Sequence, residues 1–297
     1  MSIVVSVGDP SGIGPELLAH LFTSELDWLA RGQFQLTGPP SLWRHLGLKE
    51  QEGLQFCGRE VHSPLPKPGL PCALGAQIQR DGLLDAMELM ASNPKSILVT
   101  LPVNKSQLVK SGMNFMGHTD YFRSIYPNRM ITMAFRSGSH WLALVTDHIP
   151  LGLVPSQLSP EHMVQAGLQL HAASGKPLVV CGLNPHAGED GLMGKEELQL
   201  SVALDSLRTQ GVPCRGFVAA DSLFAHWDPK EAILALYHDQ GLGPFKALFH
   251  GQSCQISLGM PYLRVSPDHG TAYHLAGRSQ ADAGSLRQAL RTALNSA

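Results

Sequence analysis

The sequence has almost no excess of charge of either sign. Its 297 residues carry 22 Lys and Arg against 24 Asp and Glu, a formal net charge of -2. A chain that attracts nucleic acid or anionic lipid through a basic field needs a large positive excess, so neither partner is expected. The expected partners are small molecules and further copies of the chain.

Long apolar runs and paired cysteines are also missing. No apolar stretch approaches the roughly 20 residues that span a bilayer, and residues 1–7 lack the basic n-region of a signal peptide. The five cysteines are odd in number and widely spaced, and they form no Cys-x-x-Cys pair, which is typical of reduced structural thiols. These features predict a cytoplasmic protein that does not contact a membrane.

Short apolar runs and helical segments alternate along the chain. Runs rich in Val, Ile and Leu are each followed by Gly, Pro, Asn or Asp and then by a helical period, which predicts an α/β fold with a largely parallel sheet. With 297 residues and 43% apolar composition, one or two domains are expected. The predicted strands are residues 3–7, 34–37, 97–100, 130–135, 142–145, 178–181, 232–237 and 255–258.

Two helices have clear start and stop signals. Ser159 is the expected N-cap of the first, Pro160 occupies its first position, and Gly175 follows its end. The second is predicted over residues 195–210, where apolar side chains recur with helical spacing and Gly211 stands at the position of a C-terminal cap. Both segments are typical of amphipathic helices that cover a sheet.

Three histidines stand just after apolar strands: His148, His186 and His238. The carboxyl ends of parallel strands meet at one edge of a sheet, so side chains far apart in sequence can converge there. A single histidine in such a loop more often caps backbone groups or faces solvent. Three in the same topological place predict a shared site for Zn²⁺ or another divalent cation, with a coordination position left open for substrate.

Side chains that can bind an anion occur at two further places. Lys246 and Arg264 flank the apolar strand that follows His238, and His118 and Thr119 belong to a GHTD segment. A guanidinium can clamp a phosphate with two hydrogen bonds, Lys supplies a point charge, and His and Thr supply hydrogen bonds. The alternative for the two cations is a solvated surface position.

A glycine-rich turn, GDPSGIGPE at residues 8–16, follows the first strand and opens a helix. Backbone N–H groups of such a turn can face an anion. The glycine spacing differs from the Rossmann pattern, and close packing of strand and helix is an equally good explanation.

Several motifs resemble, in the same order, those of the 4-hydroxythreonine-4-phosphate dehydrogenase family. They cover nearly the whole chain: GDPSGIGPE, TLPVNK, GHTD, TDHIPL, CGLNPHAGE, AADSLF, YHDQG, LGMPYLR and DHGTAYHLAGR. They are also similar to the wider isocitrate and isopropylmalate dehydrogenase fold. The resemblance implies a two-domain α/β/α sandwich with its active site in the interdomain cleft. It assigns residues 1–125 plus 259–297 to a dinucleotide-side domain and 126–258 to a domain for metal, substrate and dimerisation.

The resemblance also implies NAD or NADP, one divalent metal ion (Zn, Co, Mg, Mn or Ni) and a homodimer whose active site is shared between subunits. The implied metal ligands are His148, His186 and His238. The implied ligands of a small phosphorylated substrate are His118, Thr119, Lys246, Gln255 and Arg264. The loop that resembles the adenosine-binding loop consists of His269, Gly270, Thr271 and Ala272.

Other interpretations stay open for some of these residues. Residues 268–272 also suit a turn with a helix N-cap at Thr271. Asp239 and Lys246 are the candidate catalytic bases because both closely follow a metal ligand, although Asp239 also suits the role of orienting a histidine. Two residues depart from the family pattern: Gln255 stands where Asn is usual, and Leu101 stands where Gly is usual.

The implied reaction is the NAD(P)-dependent oxidation of 4-phosphooxy-L-threonine to 2-amino-3-oxo-4-phosphobutanoate. That product decarboxylates to 3-amino-2-oxopropyl phosphate in pyridoxal 5'-phosphate biosynthesis. Gln255 leaves open a paralogous dehydrogenase of a 4-phosphotetronate. From other classes, a metal-dependent hydrolase or aldolase without a dinucleotide and a catalytically idle binding protein are the alternatives.

Overall fold

Strands and helices alternate along the chain. The computed structural model describes residues 2–25 and 27–296. The strands are β1 (Ser2–Ser6), β2 (Gln33–Leu36), β3 (Leu54–Phe56), β4 (Ile97–Thr100), β5 (Thr132–Ser137), β6 (His140–Leu144), β7 (Leu178–Cys181), β8 (Cys214–Val218), β9 (Ala232–Ala235), β10 (Cys254–Leu258) and β11 (Arg264–Pro267).

The α-helices are α1 (Ile13–Ser24), α2 (Asp27–Arg31), α3 (Pro40–His45), α4 (Ala73–Ser92), α5 (Lys105–Lys110), α6 (His118–Ile125), α7 (Val154–Gln157), α8 (Pro160–Ser174), α9 (Glu196–Thr209), α10 (Ala220–Ala225), α11 (His238–Phe249) and α12 (Gly284–Leu294). Short 3₁₀ segments occur at Leu151–Leu153 and Pro185–Gly191. In the described part of the chain, no helix combines the length and the apolar character needed to cross a bilayer.

The chain divides into two units by its internal contacts. The first consists of Met1–Pro127 and Met260–Ala297, and the second is Asn128–Gly259. In the first unit the strand order is β3-β2-β1-β4-β11 and every pair is parallel. Strands β1 and β4 are apolar and almost fully buried, as expected for parallel strands that are covered on both faces.

The second unit has the strand order β10-β5-β6-β9-β7-β8. Strands β6, β9, β7 and β8 are parallel, whereas β5 runs antiparallel to both of its neighbours. The turn between β5 and β6 explains this difference, because Ser137 pairs directly with His140 and Gly138 adopts a φ of 54°. Such a tight hairpin joins antiparallel strands and is far too short for a parallel crossover.

The α/β fold class is confirmed, and the predicted strands correspond to β1, β2, β4, β5, β6, β7, β9 and β10 within about two residues. The sequence-based prediction missed β3, β8 and β11. Strand β8 lies at the edge of its sheet and has no fully buried side chain, and β11 begins with Arg264. Neither strand shows the apolar run that predicted the others.

Both signposted helices are confirmed. The Ser159 side chain caps α8 by accepting the N–H of His162, and Gly175 ends the helix in the left-handed conformation with a φ of 67°. Helix α9 begins after Lys195, ends before Gln210, and is followed by Gly211 at a φ of 82°. In both cases glycine takes the positive φ that the C-terminal cap requires.

Candidate active site

Two of the three predicted metal histidines lie side by side at the carboxyl edge of the second unit. His148 follows β6, and His238 begins α11 just after β9, and these two strands are parallel neighbours. Their ring centroids are 5.4 Å apart. Both residues line one pocket with Asp147, Tyr237 and Asp239. At this separation, one nitrogen of each ring can reach the same cation at Zn–N distances of about 2 Å.

Each of these histidines has a carboxylate next to its Nδ1. His238 Nδ1 is hydrogen-bonded to Asp239 Oδ1 at 2.7 Å, and His148 Nδ1 lies 3.9 Å from Asp147 Oδ1. The same Asp147 oxygen accepts the backbone N–H of His148 at 2.6 Å. The hydrogen-bonded carboxylate orients the His238 ring and leaves its Nε2 as the ligand atom, and two neighbouring imidazoles fit a divalent cation that prefers such ligands.

Two buried polar side chains, Thr146 and Gln240, hold together the strand ends that carry the three histidines. Gln240 Oε1 accepts the N–H of Leu236 at 2.7 Å, and its Nε2 donates to the carbonyl of Gly182 at 2.6 Å. Thr146 donates its hydroxyl to the carbonyl of Leu236 at 2.7 Å. Sequence reasoning missed both residues, although a glutamine inside the YHDQG motif directly after a strand was an available signal.

The third histidine, His186, lies in a left-handed turn after β7. Residues from His186 to Asp190 all have positive φ, beginning with 53° at His186. This conformation is strained for residues other than glycine. Glu197 holds the start of the turn, because its carboxylate accepts the backbone N–H of Asn184 at 2.7 Å and the side-chain amide of Asn184 at 3.0 Å.

The structure brings His148 and His238 together but leaves His186 outside that pair. Among the residues described in this single chain, no group of three or more His, Cys, Asp or Glu side chains is placed to hold a metal ion. The predicted set of three ligands is therefore not assembled among the described residues of this chain.

A second cluster, here called the anion pocket, lies in the first unit around His118 and Arg264. The Arg264 side chain is only 1% exposed, and its Nε donates to the hydroxyl of Thr100 at 3.1 Å. Its guanidinium carbon lies 5.7 Å from the ring centre of Phe122, and the His118 ring stacks on Phe122 at 6.3 Å. Thr119 is buried beside His118 in the first turn of α6.

The charge in the anion pocket comes from its arginine rather than from its histidine. Burial, followed by the positive charges of Arg264 and Lys105, holds the pKa of His118 well below its ordinary value. Burial lowers the pKa of Arg264 to about 9, which still leaves the guanidinium charged at neutral pH. The buried His118 Nε2 has no hydrogen-bond partner in the described structure. A neutral imidazole beside a buried guanidinium suits an anionic ligand with hydrogen-bonding oxygens.

Lys246 and Gln255, the remaining predicted substrate ligands, belong to the second unit. Lys246 is exposed in the last turn of α11, about 12 Å along the helix axis from His238. Gln255 is half-buried on β10, opposite Phe135. Neither residue lines the pocket that contains His148 and His238.

The loop of residues 268–272 packs directly on the glycine-rich turn after β1. The N–H of Ile13 donates to the carbonyl of Thr271 at 3.0 Å. The imidazole Nε2 of His269 is buried without a partner among the described residues, so it can accept or donate a bond to a ligand. The alternative prediction of a helix N-cap at Thr271 was wrong, because residues 273–277 form turns. Their N–H groups bond carbonyls three residues back, as in Leu275 to Ala272.

Close packing explains the two glycines that open the turn after β1. A Cβ on Gly8 would lie 2.6 Å from the carbonyl oxygen of Pro102 and 2.8 Å from the Cβ of Leu101. A Cβ on Gly12 would lie 2.9 Å from the carbonyl oxygen of Thr271. The glycine-rich turn thus packs against two loops, the one that follows β4 at Leu101 and Pro102 and the one formed by residues 268–272.

Gly12→Ala is expected to lower the free energy of unfolding by roughly 1–3 kcal/mol, because the loop at Thr271 must shift to admit the methyl group. Urea unfolding of the purified variant measures this. Gly152→Ala is the matched control, since no heavy atom lies within 4 Å of the added Cβ there. Equal unfolding free energies for the two variants would contradict the expected close contact.

Sequence similarity extends over nearly the whole chain. A family model described as "Pyridoxal phosphate biosynthetic protein PdxA" matches residues 42–293. A curated 4-hydroxythreonine-4-phosphate dehydrogenase from Pseudoalteromonas translucida is 34% identical over 319 residues, which covers 99% of this chain and 96% of that protein. A protein of the same name from Shewanella denitrificans is 36% identical over 316 residues, covering 98% and 96%.

Solved structures are similar over the same extent. A 4-hydroxythreonine-4-phosphate dehydrogenase from Burkholderia phymatum has a TM-score of 0.82 at 25% identity, covering 99% of this chain and 98% of that one. Isocitrate dehydrogenase from Methylococcus capsulatus has a TM-score of 0.52 at 11% identity, covering 99% and 85%. The second similarity concerns the fold alone, and it confirms the predicted likeness to the isocitrate dehydrogenase group.

Proposed function

Because this chain belongs to the PdxA family of pyridoxal phosphate biosynthetic proteins, we propose that it oxidises 4-phosphooxy-L-threonine with NAD or NADP. The product is 2-amino-3-oxo-4-phosphobutanoate, a β-keto acid that decarboxylates to 3-amino-2-oxopropyl phosphate. The observation that carries this proposal is the similarity to curated dehydrogenases of this substrate over almost the full length of both chains. The setting we propose is the cytoplasm, where its five free thiols would stay reduced.

The anion pocket supplies the recognition of the phosphate group. Arg264 is buried and places its charged planar guanidinium, which also donates to the hydroxyl of Thr100, beside His118, which with Thr119 begins α6. Fixing the phosphate holds the substrate at one end, so its secondary alcohol is presented in one orientation. This positioning lowers the entropic part of the activation barrier.

We propose that His148 and His238 hold the divalent cation through their Nε2 atoms. Asp239 hydrogen-bonds to His238 and so orients that ring before a cation binds, while Asp147 lies 3.9 Å from Nδ1 of His148. When bound, a divalent ion lowers the pKa of the substrate hydroxyl and stabilises the developing carbonyl. Imidazole ligands suit Zn, Co, Ni or Mn, and Mg completes the candidate set.

We propose a homodimer in which His186 of the partner subunit completes the ligand set. The support is that His148 and His238 come together within one chain while His186 stands apart on its own turn. The complete set of three imidazole ligands would then exist only in the dimer.

The two candidate bases differ in what surrounds them. Asp239 is hydrogen-bonded to Nδ1 of His238, so its proposed role is to orient that histidine rather than to remove the proton of the alcohol. Lys246 remains a prediction as substrate ligand and base, at the far end of α11. For the dinucleotide we propose the loop of His269, Gly270, Thr271 and Ala272, supported by the unpartnered Nε2 of His269.

The decisive experiment is an assay of purified protein with 4-phosphooxy-L-threonine, a divalent metal salt, and NAD⁺ or NADP⁺. We expect the absorbance at about 340 nm to increase as the dinucleotide is reduced to NADH or NADPH. Turnover of a 4-phosphotetronate alone would instead support the paralogous dehydrogenase that Gln255 leaves open. Substrate consumption without any dinucleotide would support a hydrolase or aldolase. Binding of the substrate without any turnover would support a catalytically idle binding protein.

A further inference from the structure

We propose that the ammonium group of Lys105 is a further phosphate ligand, which closes the anion pocket on the side of Gly117. The identification of the anion as the phosphate of the substrate rests on the proposed function. The geometry of the pocket does not depend on it.

Lys105 begins α5, yet its side chain reaches the amino end of α6. A Cβ placed on Gly117 would lie 3.6 Å from Lys105 Nζ and 3.7 Å from its Cε. Gly117 is the N-cap of α6, and His118 is the first residue of that helix. The ammonium therefore lies beside backbone N–H groups that favour a negative charge.

Two buried groups of the anion pocket indicate that a ligand completes it, and Lys105 lies close enough to one of them, His118, to lower its pKa. The Nε2 atom of His118 is closed to solvent and has no partner in the described structure. Leaving such a group unsatisfied is costly, so a hydrogen-bonding ligand atom is expected there. Arg264, 1% exposed, contributes a buried positive charge to the same pocket.

The balance of charges favours a phosphate monoester, which carries about two negative charges at neutral pH. His118 contributes no charge, because burial and the two cations keep its pKa well below the ordinary value. Arg264 and Lys105 then provide two positive charges. The Asp120 carboxylate is paired through Oδ1 with Arg123 Nη1 at 3.4 Å, and its Oδ2 lies 3.7 Å from the same Cβ position on Gly117 that Lys105 approaches.

The backbone that carries Lys105 is held firmly. The side chain of Asn104 donates to the hydroxyl of Tyr273 at 2.6 Å and accepts the N–H of Gln107 at 3.1 Å. The hydroxyl of Tyr273 in turn donates to the buried carboxylate of Asp9, and Gln79 accepts the N–H of Asn104 at 2.8 Å. With the backbone fixed in this way, only the lysine side chain itself is ordered when an anion binds.

The test compares Lys105→Met with the unchanged protein in two measurements: titration with inorganic phosphate in a calorimeter, and KM for 4-phosphooxy-L-threonine. We expect the substitution to weaken phosphate binding and raise KM by about tenfold or more. Because the Lys105 side chain is exposed, the melting temperature should not change. Lys105→Arg, which restores the charge, should recover most of the affinity.

Lys110→Met is the matched control, since Lys110 is exposed in the last turn of the same helix. It should leave phosphate affinity and KM unchanged. Unaltered phosphate affinity in folded Lys105→Met protein, or a wild-type protein that binds no inorganic phosphate, overturns the proposal. A protein that binds phosphate through Lys105 but does not oxidise 4-phosphooxy-L-threonine retains this proposal and loses the proposed function.

Discussion

Replacing Arg264 by methionine is expected to lower kcat/KM for the phosphorylated substrate by roughly two to three orders of magnitude. The guanidinium is 1% exposed, so water cannot take its place at the phosphate when it is removed. The variant therefore loses binding free energy, because the phosphate charge is left without its partner in a site that is closed to water. Steady-state kinetics at saturating NAD⁺ and metal measures it, with circular dichroism to verify that the variant is folded.

Two further variants separate recognition from folding. Arg264→Lys keeps a positive charge without the planar fork and should recover only part of the lost activity. Arg287→Met removes another partly buried arginine of the first unit. Arg287 lies on α12, and its Nε is 2.8 Å from Oε1 of Glu25. If Arg287→Met lost as much activity as Arg264→Met, the effect would reflect general damage rather than loss of the phosphate contact.

Much of the sheet was predictable because its central strands are buried on both faces. The apolar runs of β4 and β7 leave little else for those segments to form. Strand β11 escaped prediction because its first residue is the buried Arg264, which breaks the apolar pattern at that point. The antiparallel course of β5 depends on a turn at Gly138, which the apolar pattern does not report.

The candidate site was predictable where topology alone determines position. His148 and His238 follow neighbouring parallel strands, so their approach requires only that both strands end at the same edge. The position of His186 depends on a left-handed turn held by Glu197, a contact between residues that local sequence does not connect. The proposed contribution of Lys105 likewise depends on the approach of its side chain to Gly117 at the start of α6, which local sequence does not report.

His238→Ala is expected to reduce kcat by on the order of a thousandfold and to abolish stoichiometric metal binding. His238 is hydrogen-bonded to Asp239 and lies next to His148, so its removal takes away one of the three proposed imidazole ligands and leaves His148 and His186 of the partner subunit. Catalytic sites of this kind hold their cation with three protein ligands, so two imidazoles should not keep the site occupied at micromolar metal. Metal content after gel filtration, determined by plasma mass spectrometry, provides a readout that does not depend on turnover.

His162→Ala controls for the loss of a histidine as such, because His162 is exposed in the first turn of α8 and its backbone N–H, not its ring, serves the helix cap. It should keep full activity and metal content. His186→Ala is expected to lose metal as His238→Ala does, and a mixture of the two variants then decides whether the ligand set crosses the subunit boundary. An equimolar mixture of the two variants should then regain part of the activity after subunit exchange, because a mixed dimer contains one intact site. Full metal occupancy in His238→Ala would remove the basis for placing a cation between these rings.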